Sequence, residues 1–215
     1  MHTIGNNTYS DLYITSEWGL NIQDKDIELL IPHITKSGKI IDIGANLGIY
    51  SIMYSQSFPY TKFICFEPTP TISRYCTLNL KKIGLPFTMH QVALSNYDGV
   101  SFLENNGAHH QQNKLSNSGI EVEVRKLDSY HITDISIIKI DVEGHELEVL
   151  QGARNTILNQ QPIIVLEYHK EADSEAIFNF IEEIQYDIIF LEGQFNPNQC
   201  NHLLLKPRLN ENNNI

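Results

Sequence analysis

Cysteine is scarce in this chain of 215 residues, which has three: Cys65, Cys76 and Cys200. They form no CxxC pair, no zinc-like spacing and no dense disulfide framework, and two fall in apolar-periodic segments where buried thiols are common; a reducing compartment is expected. Long hydrophobic runs are missing as well. No uninterrupted apolar segment is long enough to span a bilayer, and the polar N-terminal stretch does not read as a secretory signal, so the expectation is a soluble, cytoplasmic protein. Positive charge is in short supply: 15 Lys and Arg against 26 Asp and Glu give a net charge of -11. That balance opposes a nucleic-acid backbone or an anionic membrane as partner and favours a small or neutral ligand. Nor does any proline-rich, glycine/serine-rich or repeated segment divide the chain. The length suits one domain with a real core, expected over 38–208, with an N-terminal segment, 1–37, packing on or covering it and an asparagine-rich polar tail, 209–215, that frays.

Against these absences stands one dense motif. Lys39-Ile40-Ile41-Asp42-Ile43-Gly44-Ala45-Asn46-Leu47-Gly48 is an apolar run ending in an acid and a glycine turn. The apolar part suits a buried parallel strand, and Gly44 and Gly48 suit a tight strand-to-helix turn with close backbone approach. The loop is neither G-x-G-x-x-G nor a P-loop ending in G-K-S/T, which weighs against phosphate binding. Asp42 would repel a pyrophosphate but favour the ammonium or sulfonium of S-adenosylmethionine, directly or through water.

The rest alternates between strand and helix patterns. A short helix is expected over 48–57 and a strand over 61–66, ending at Glu67-Pro68. Ile72, Cys76, Leu80 and Ile83 then share one helical face, with Gly84 available to end that helix. A strand follows near 87–90, and two short exposed strands, at 100–102 and 121–124, flank a polar stretch, 104–119, read as a mobile loop. His109 and His110 in that stretch would form a lid or a plain surface loop. Ile135 to Ile140 is a further buried strand, followed by a helix carrying Leu147, Leu150, Ala153 and Ile157. Pro162 to Leu166 leads to another strand end at Glu167, and Ile177, Phe180, Ile181 and Ile184 mark the next amphipathic helix. Segments 186–191 and 202–205 would close the chain with a hairpin. The fold class is therefore α/β: a mostly parallel, doubly wound, Rossmann-like sheet with an antiparallel C-terminal edge hairpin.

Asp42, Glu67, Asp141 and Glu167 each close a hydrophobic strand, and such sheets bind ligands beyond the carboxyl ends of their strands. Glu67 has the spacing of a ribose-binding acid, able to accept from both ribose hydroxyls. Val92-Ala93-Leu94-Ser95-Asn96 offers an apolar slot for adenine, or only a buried strand and its turn. Asp141, Glu143 and His145 would border the reacting end, whereas Glu146 and Glu148 read as acids complementing a helix dipole. Trp18, with Tyr9 and Tyr13 upstream, would cover the sheet or stack on a sugar ring.

Three blocks together resemble the FkbM family of S-adenosylmethionine-dependent methyltransferases. They are Ile41 to Gly48, Phe66-Glu67-Pro68, and Lys139-Ile140-Asp141-Val142-Glu143-Gly144-His145-Glu146 with its continuation through Ala153. With Ala93-Leu94-Ser95, Leu127-Asp128 and Pro162 to Glu167 they cover about 38–168. The resemblance implies a class I methyltransferase fold and O-methylation of a hydroxyl on a sugar, a glycan or a polyketide-type natural product. Carried over by position, it puts Asp42, Gly44, Ala45, Asn46, Gly48, Glu67, Pro68, Ala93 and Ser95 around the cofactor and Asp141 at its reactive end. Asp141, Glu143 and His145 are the expected catalytic residues, with Glu167 and His169 as further candidate bases. A divalent metal ion bound between Asp141 and Glu167 is the less favoured variant. Two other classes stand as alternatives: a nicotinamide-dependent oxidoreductase, which should carry a pyrophosphate loop, and a non-catalytic binding module on the same scaffold.

Overall fold

The computed structural model describes residues 2–4, 7–9, 12–13, 21–22, 30–34, 37–104, 115–190 and 195–208. Trp18, His109, His110 and the tail 209–215 lie outside them. The first strands, β1 (His2–Ile4), β2 (Asn7–Tyr9) and β3 (Asn21–Ile22), form a small sheet of order β2-β1-β3. The main domain opens with β4 (Lys39–Ile43), α1 (Ile49–Ser57), β5 (Phe63–Phe66), α2 (Pro70–Ile83) and β6 (Phe87–His90). An insert follows, made of β7 (Ala93–Leu94), β8 (Gly99–Leu103), β9 (Leu115–Ser116) and β10 (Ile120–Arg125). The chain then returns through β11 (Ile135–Ile140), α3 (Glu146–Gly152), α4 (Arg154–Gln160), β12 (Ile163–Tyr168), α5 (Ser174–Glu183), β13 (Tyr186–Phe190) and β14 (Asn201–Pro207).

Seven of these strands make the central sheet, in the order β13-β14-β12-β11-β4-β5-β6. The five from β12 to β6 run parallel, and β14 pairs antiparallel with both β12 and β13. This is the expected doubly wound sheet with its edge hairpin. Both faces are covered because the strands are apolar on both faces, as parallel strands must be when helices flank them. Ile41, Ile43, Ile138, Ile140, Ile164 and Leu166 join the side chains of α3, α4 and α5 in one cluster. Their alternating neighbours Ile40, Phe63, Cys65, Ile137 and Val165 join α1 and α2 in the other. The described N-terminal residues add to that second face: Leu12 and Leu30 are buried in it, and the Asn79 side chain accepts from Tyr13 N at 2.7 Å and donates to Tyr13 O at 3.1 Å.

The insert is a second sheet, of order β7-β10-β8-β9. Here the expectation of a loop over 104–119 needs correcting in part: Leu115 and Ser116 form β9, paired with Leu103 and Phe102 because both leucine side chains pack on the insert's own apolar cluster. Residues 105–114 lie outside the described part. A second correction concerns the helix after β11, which breaks at Ala153 into α3 and α4. The break has a local cause. The Asp128 carboxylate accepts from Asn155 N at 3.0 Å, Thr156 N at 2.7 Å and Thr156 Oγ1 at 2.7 Å. Those two N–H groups would otherwise bond back into α3, so a side chain remote in sequence caps α4 as an N-cap residue would.

Replacing Asp128 with Ala should therefore lower stability by about 1–2 kcal/mol, the typical worth of a helix cap. Urea denaturation checks it: an unchanged midpoint would mean that α4 needs no cap from outside.

Candidate functional site

One cleft lies beyond the carboxyl ends of β4, β5, β11 and β12, and Gly44, Asn46, Glu67, Asp141, Glu143 and Glu167 all line it. The turn after β4 forms its floor. Gly44 has φ +73°, and a Cβ there would sit 1.8 Å from the Asp141 carbonyl oxygen, so only glycine lets the β4 and β11 ends approach this closely. Its N–H and that of Ala45 both donate to Phe66 O, at 3.0 Å each, which ties the turn to β5. Ala45 and Gly48 are buried beneath the turn rather than at the cleft; Gly48 packs on Cys76 and Leu80 of α2.

Glu67 is 7% exposed and closes one wall. Its Oε2 accepts from Asn46 N at 3.1 Å and its Oε1 from Thr69 N at 2.8 Å. Burial pushes its carboxyl above the usual range, against those two hydrogen bonds. Each oxygen keeps a further lone pair, so the group can still accept from two hydroxyls side by side. Next to it, at the cleft wall, Asn46 Oδ1 is buried with no hydrogen-bond partner among the described residues. Pro68, Thr69 and Ile72 continue this side. Val92, Ala93 and Leu94 face the cleft from the segment before and within β7, and Leu103 and Leu115 bring an apolar wall from the insert. Ser95, expected in the slot, is instead buried behind it and lies 2.9 Å from His145 Nε2.

The opposite end is acidic and built around a lysine. Lys139 is 3% exposed, yet its ammonium lies 3.0 Å from Asp141 Oδ2, 3.9 Å from Asp42 Oδ1 and 4.4 Å from the centre of the Tyr50 ring. Burial alone would lower its pKa, but Asp141, Asp42 and Glu167 outweigh burial and hold it well above its ordinary value. Asp42 itself, expected beside the cofactor, does not line the cleft. It is fully buried on the α1 face, opposite Lys139 in the strand register, and accepts from Ser51 Oγ at 2.6 Å. The reason is strand alternation: Ile41 and Ile43 point to one face and Asp42 to the other.

Burial, with Glu167 nearby, pushes the Asp141 carboxyl upward despite Lys139. Glu143 lines the cleft at φ +53°, a left-handed conformation uncommon for a residue with a long side chain. His145 also lines it, but both ring nitrogens meet protein partners, Ser95 at Nε2 and Glu148 at Nδ1, 3.4 Å away. The imidazole nitrogen that faces the acids belongs to His169. Its Nε2 lies 3.5 Å from Glu143, 3.8 Å from Glu167 and 3.9 Å from Asp141, while its Nδ1 meets Glu146 at 2.7 Å. Glu146, read from the sequence as a helix-dipole acid, is fully buried and also accepts from Gly144 N.

Lys139, Tyr50, Thr69, Leu103, Leu115 and Glu146 are site residues that the sequence reading does not single out. Lys139 carries a signal, since a lysine inside an otherwise apolar β-branched strand has to find a buried counter-charge. The others meet the site only through tertiary packing.

Lys139→Met should cost about 3–5 kcal/mol of stability, because it leaves a fully buried carboxylate and its neighbour without their cation. Guanidinium denaturation checks this, and a loss below about 1 kcal/mol would show that the acids do not depend on the ammonium.

Residues 42–204 match the model of the methyltransferase FkbM domain. The chain is 25% identical over 164 residues to the hexuronic acid methyltransferase AglP of Haloferax volcanii, a match covering 73% of this chain and 66% of that protein. It is 29% identical over 153 residues to the 2-O-methyltransferase NoeI of Sinorhizobium fredii, covering 60% and 62%. The matched part thus falls just short of two thirds of either relative's length. Among solved structures, a methyltransferase FkbM from Methylobacillus flagellatus superposes with TM-score 0.55 at 21% identity, over 79% of this chain and 43% of that one. TrmK of M. capricolum, solved with its natural cofactor product S-adenosyl-homocysteine, gives TM-score 0.53 at 12% identity over 88% and 73%. At these identities the two structures speak to the fold, and the fold is the one described above. With the family model matching well over half of its length, this chain belongs to the FkbM methyltransferase family.

Proposed function

We propose that this protein uses S-adenosylmethionine to methylate a hydroxyl of a sugar, a glycan or a polyketide-type natural product. The observation that carries this reading is the Glu67 carboxylate: nearly buried, fixed by two backbone N–H groups, and facing a cleft that is apolar on one side and acidic on the other. That arrangement fits a nucleoside, with ribose hydroxyls on Glu67, the base against Leu94, Leu103 and Leu115, and the charged end near Asp141. Asn46 Oδ1 fits it too, since a buried acceptor without a partner at the wall suits a donor from the ligand. Family membership and the want of a pyrophosphate loop weigh against the nicotinamide alternative. The name of AglP, a hexuronic acid methyltransferase, supports a sugar as the target, and that of NoeI, a 2-O-methyltransferase, supports an oxygen as the methyl acceptor.

When bound, S-adenosylmethionine supplies an electrophilic methyl group on a sulfonium. The chain's own contribution is alignment and proton removal. The Gly44 to Asn46 turn and Glu67 fix the nucleoside, and the insert's leucines exclude water from its apolar side. The acceptor hydroxyl approaches from the acidic end, where Asp141 has Oδ2 tied to Lys139 and Oδ1 turned toward His169. Asp141 takes the hydroxyl proton. Burial raises its basicity, and Glu143 and His169 hold the hydroxyl in line. Ser95 and Glu148 hold the ring of His145 where it lines the acidic end.

Glu67→Ala should weaken binding of S-adenosylhomocysteine at least about tenfold in calorimetric titration, since each hydrogen bond to a charged acceptor is worth roughly 1.5–3 kcal/mol. Because the Glu67 carboxyl is raised, wild-type affinity should begin to fall, as pH is lowered, above the ordinary glutamate range near about 4.3. The Gln variant should lose that dependence; a pH profile shared by both forms would exclude Glu67 from the ribose site. Asp141→Asn should lower turnover by roughly 10²–10⁴-fold, a larger loss than that in affinity for S-adenosylhomocysteine. Labelled S-adenosylmethionine incubated with fractionated extract identifies the acceptor. Label in a glycan or secondary metabolite supports the proposal, and label confined to protein or RNA overturns the substrate class.

A further inference from the structure

Glu167 ends β12 at the acidic end of the cleft, and β14 runs antiparallel beside it with His202 directly opposite in register. Cys200 stands two residues before His202, a spacing that puts both side chains on the same side of an extended chain. Cys200 Sγ lies 3.3 Å from Glu167 Oε1, and His202 Nε2 lies 3.6 Å from Glu167 Oε2. One ligand atom from each of the three falls within 4.8 Å of the others. Around a tetrahedral zinc ion, ligand atoms at about 2.0–2.3 Å from the metal stand roughly 3.3–3.6 Å apart. The two distances fall in that range, one from each Glu167 oxygen, so a small turn of the carboxylate would bring one oxygen to both partners.

We infer that Glu167, Cys200 and His202 form a zinc site at the acceptor end of the cleft, with the fourth coordination position open to an oxygen of the acceptor. A thiolate, an imidazole and a carboxylate select zinc or a similar transition ion over magnesium or calcium, which prefer all-oxygen shells. Three protein ligands rather than four is the pattern of a site that keeps a position for a ligand. Of the three ligands Glu167 is the one that lines the cleft, so the open position is assigned to that side. A hydroxyl or carboxylate oxygen of a sugar acid suits it. This use of the open position rests on the function proposed above, whereas the metal site rests on the geometry alone.

A second grouping, Asp141, Glu167 and His169, also brings three ligand atoms within 4.8 Å. It is the weaker site. Asp141 is already bonded to the Lys139 ammonium, so a cation is present there, and no thiolate takes part. In the pair of Asp141 and Glu167 expected from the sequence, Asp141 thus already carries the Lys139 ammonium at 3.0 Å.

The test uses the purified full chain, stripped with a chelator and titrated with cobalt(II) and with zinc. One equivalent of cobalt should bind with a thiolate-to-metal charge-transfer band and the intense visible bands of a four-coordinate ion, and zinc should displace it. Cys200→Ser and His202→Ala should each weaken zinc binding more than about 100-fold, beyond the 10–100-fold that an outer contact carries. Cys65→Ser should leave the charge-transfer band unchanged, and circular dichroism and S-adenosylhomocysteine binding report whether each variant has kept its fold. A band that persists in folded Cys200→Ser, or no stoichiometric metal in wild type, overturns the site. Tight zinc binding in a protein that does not bind S-adenosylhomocysteine sustains the metal site while the proposed function fails. Cofactor binding with no stoichiometric zinc overturns the metal site and leaves the proposed function standing.

Discussion

The buried Lys139 ammonium is the constraint on which the rest of the cleft depends. Three strand ends of one parallel sheet bring Asp42, Asp141 and Glu167 toward each other, and unpaired carboxylates in such a place would repel and draw protons. Lys139 lies 3.0 Å from Asp141 and 3.9 Å from Asp42, feels the charge of Glu167 as well, and has the Tyr50 ring 4.4 Å away. A buried ion cluster is weak evidence for net stability, since burial costs each ion its hydration. Its members are nevertheless mutually dependent, because removing one leaves the others uncompensated. The register of β4 against β11, which places Asp42 opposite Lys139, is therefore fixed by charge as well as by packing.

A doubly wound sheet supplies turns and acids at its carboxyl edge but little apolar surface there. The insert between β6 and β11 makes up the difference. Its small sheet has its own cluster, Ala93, Leu103, Val122 and Val124, and two members of its β8–β9 pair, Leu103 and Leu115, turn toward the cleft. Ser95, at the end of β7, meanwhile reaches the His145 ring. The insert thus links the apolar half of the cleft with the acidic half.

Much of this is legible in the chain. The strands stand out because Ile and Val runs ending in an acid are unusual, and Glu67, Asp141 and Glu167 all line the cleft where such ends converge. Asp42 obeys the same pattern yet points the other way, since a residue's position at a strand end fixes its height in the sheet while alternation fixes its face. The burial of Glu146 is hidden in the sequence because its partner, His169, lies 23 residues away. Cys200 and His202 are hidden for a similar reason: their third partner comes from the register of β12 with β14, a non-local pairing that spacing along the chain does not encode. The break at Ala153 likewise depends on Asp128, which apolar periodicity ignores.

The acidic end also divides its work between neighbouring strands. Asp141 at the end of β11 and Glu167 at the end of β12 are the same kind of group at the same edge of the sheet, yet their surroundings drive them apart. Burial pushes Asp141 upward, whereas for Glu167 His202, Lys139 and His169 overcome burial and hold the carboxyl at about 2. Environments that separate two acids in this way assign them different roles. The two strand-end acids thus differ in how firmly they hold a proton, Glu167 less and Asp141 more than an ordinary carboxylate. The direction of the split comes from β14, which brings the His202 imidazole to Glu167. The antiparallel edge hairpin, remote in sequence from the Gly44 turn, thus sets the two strand-end acids apart.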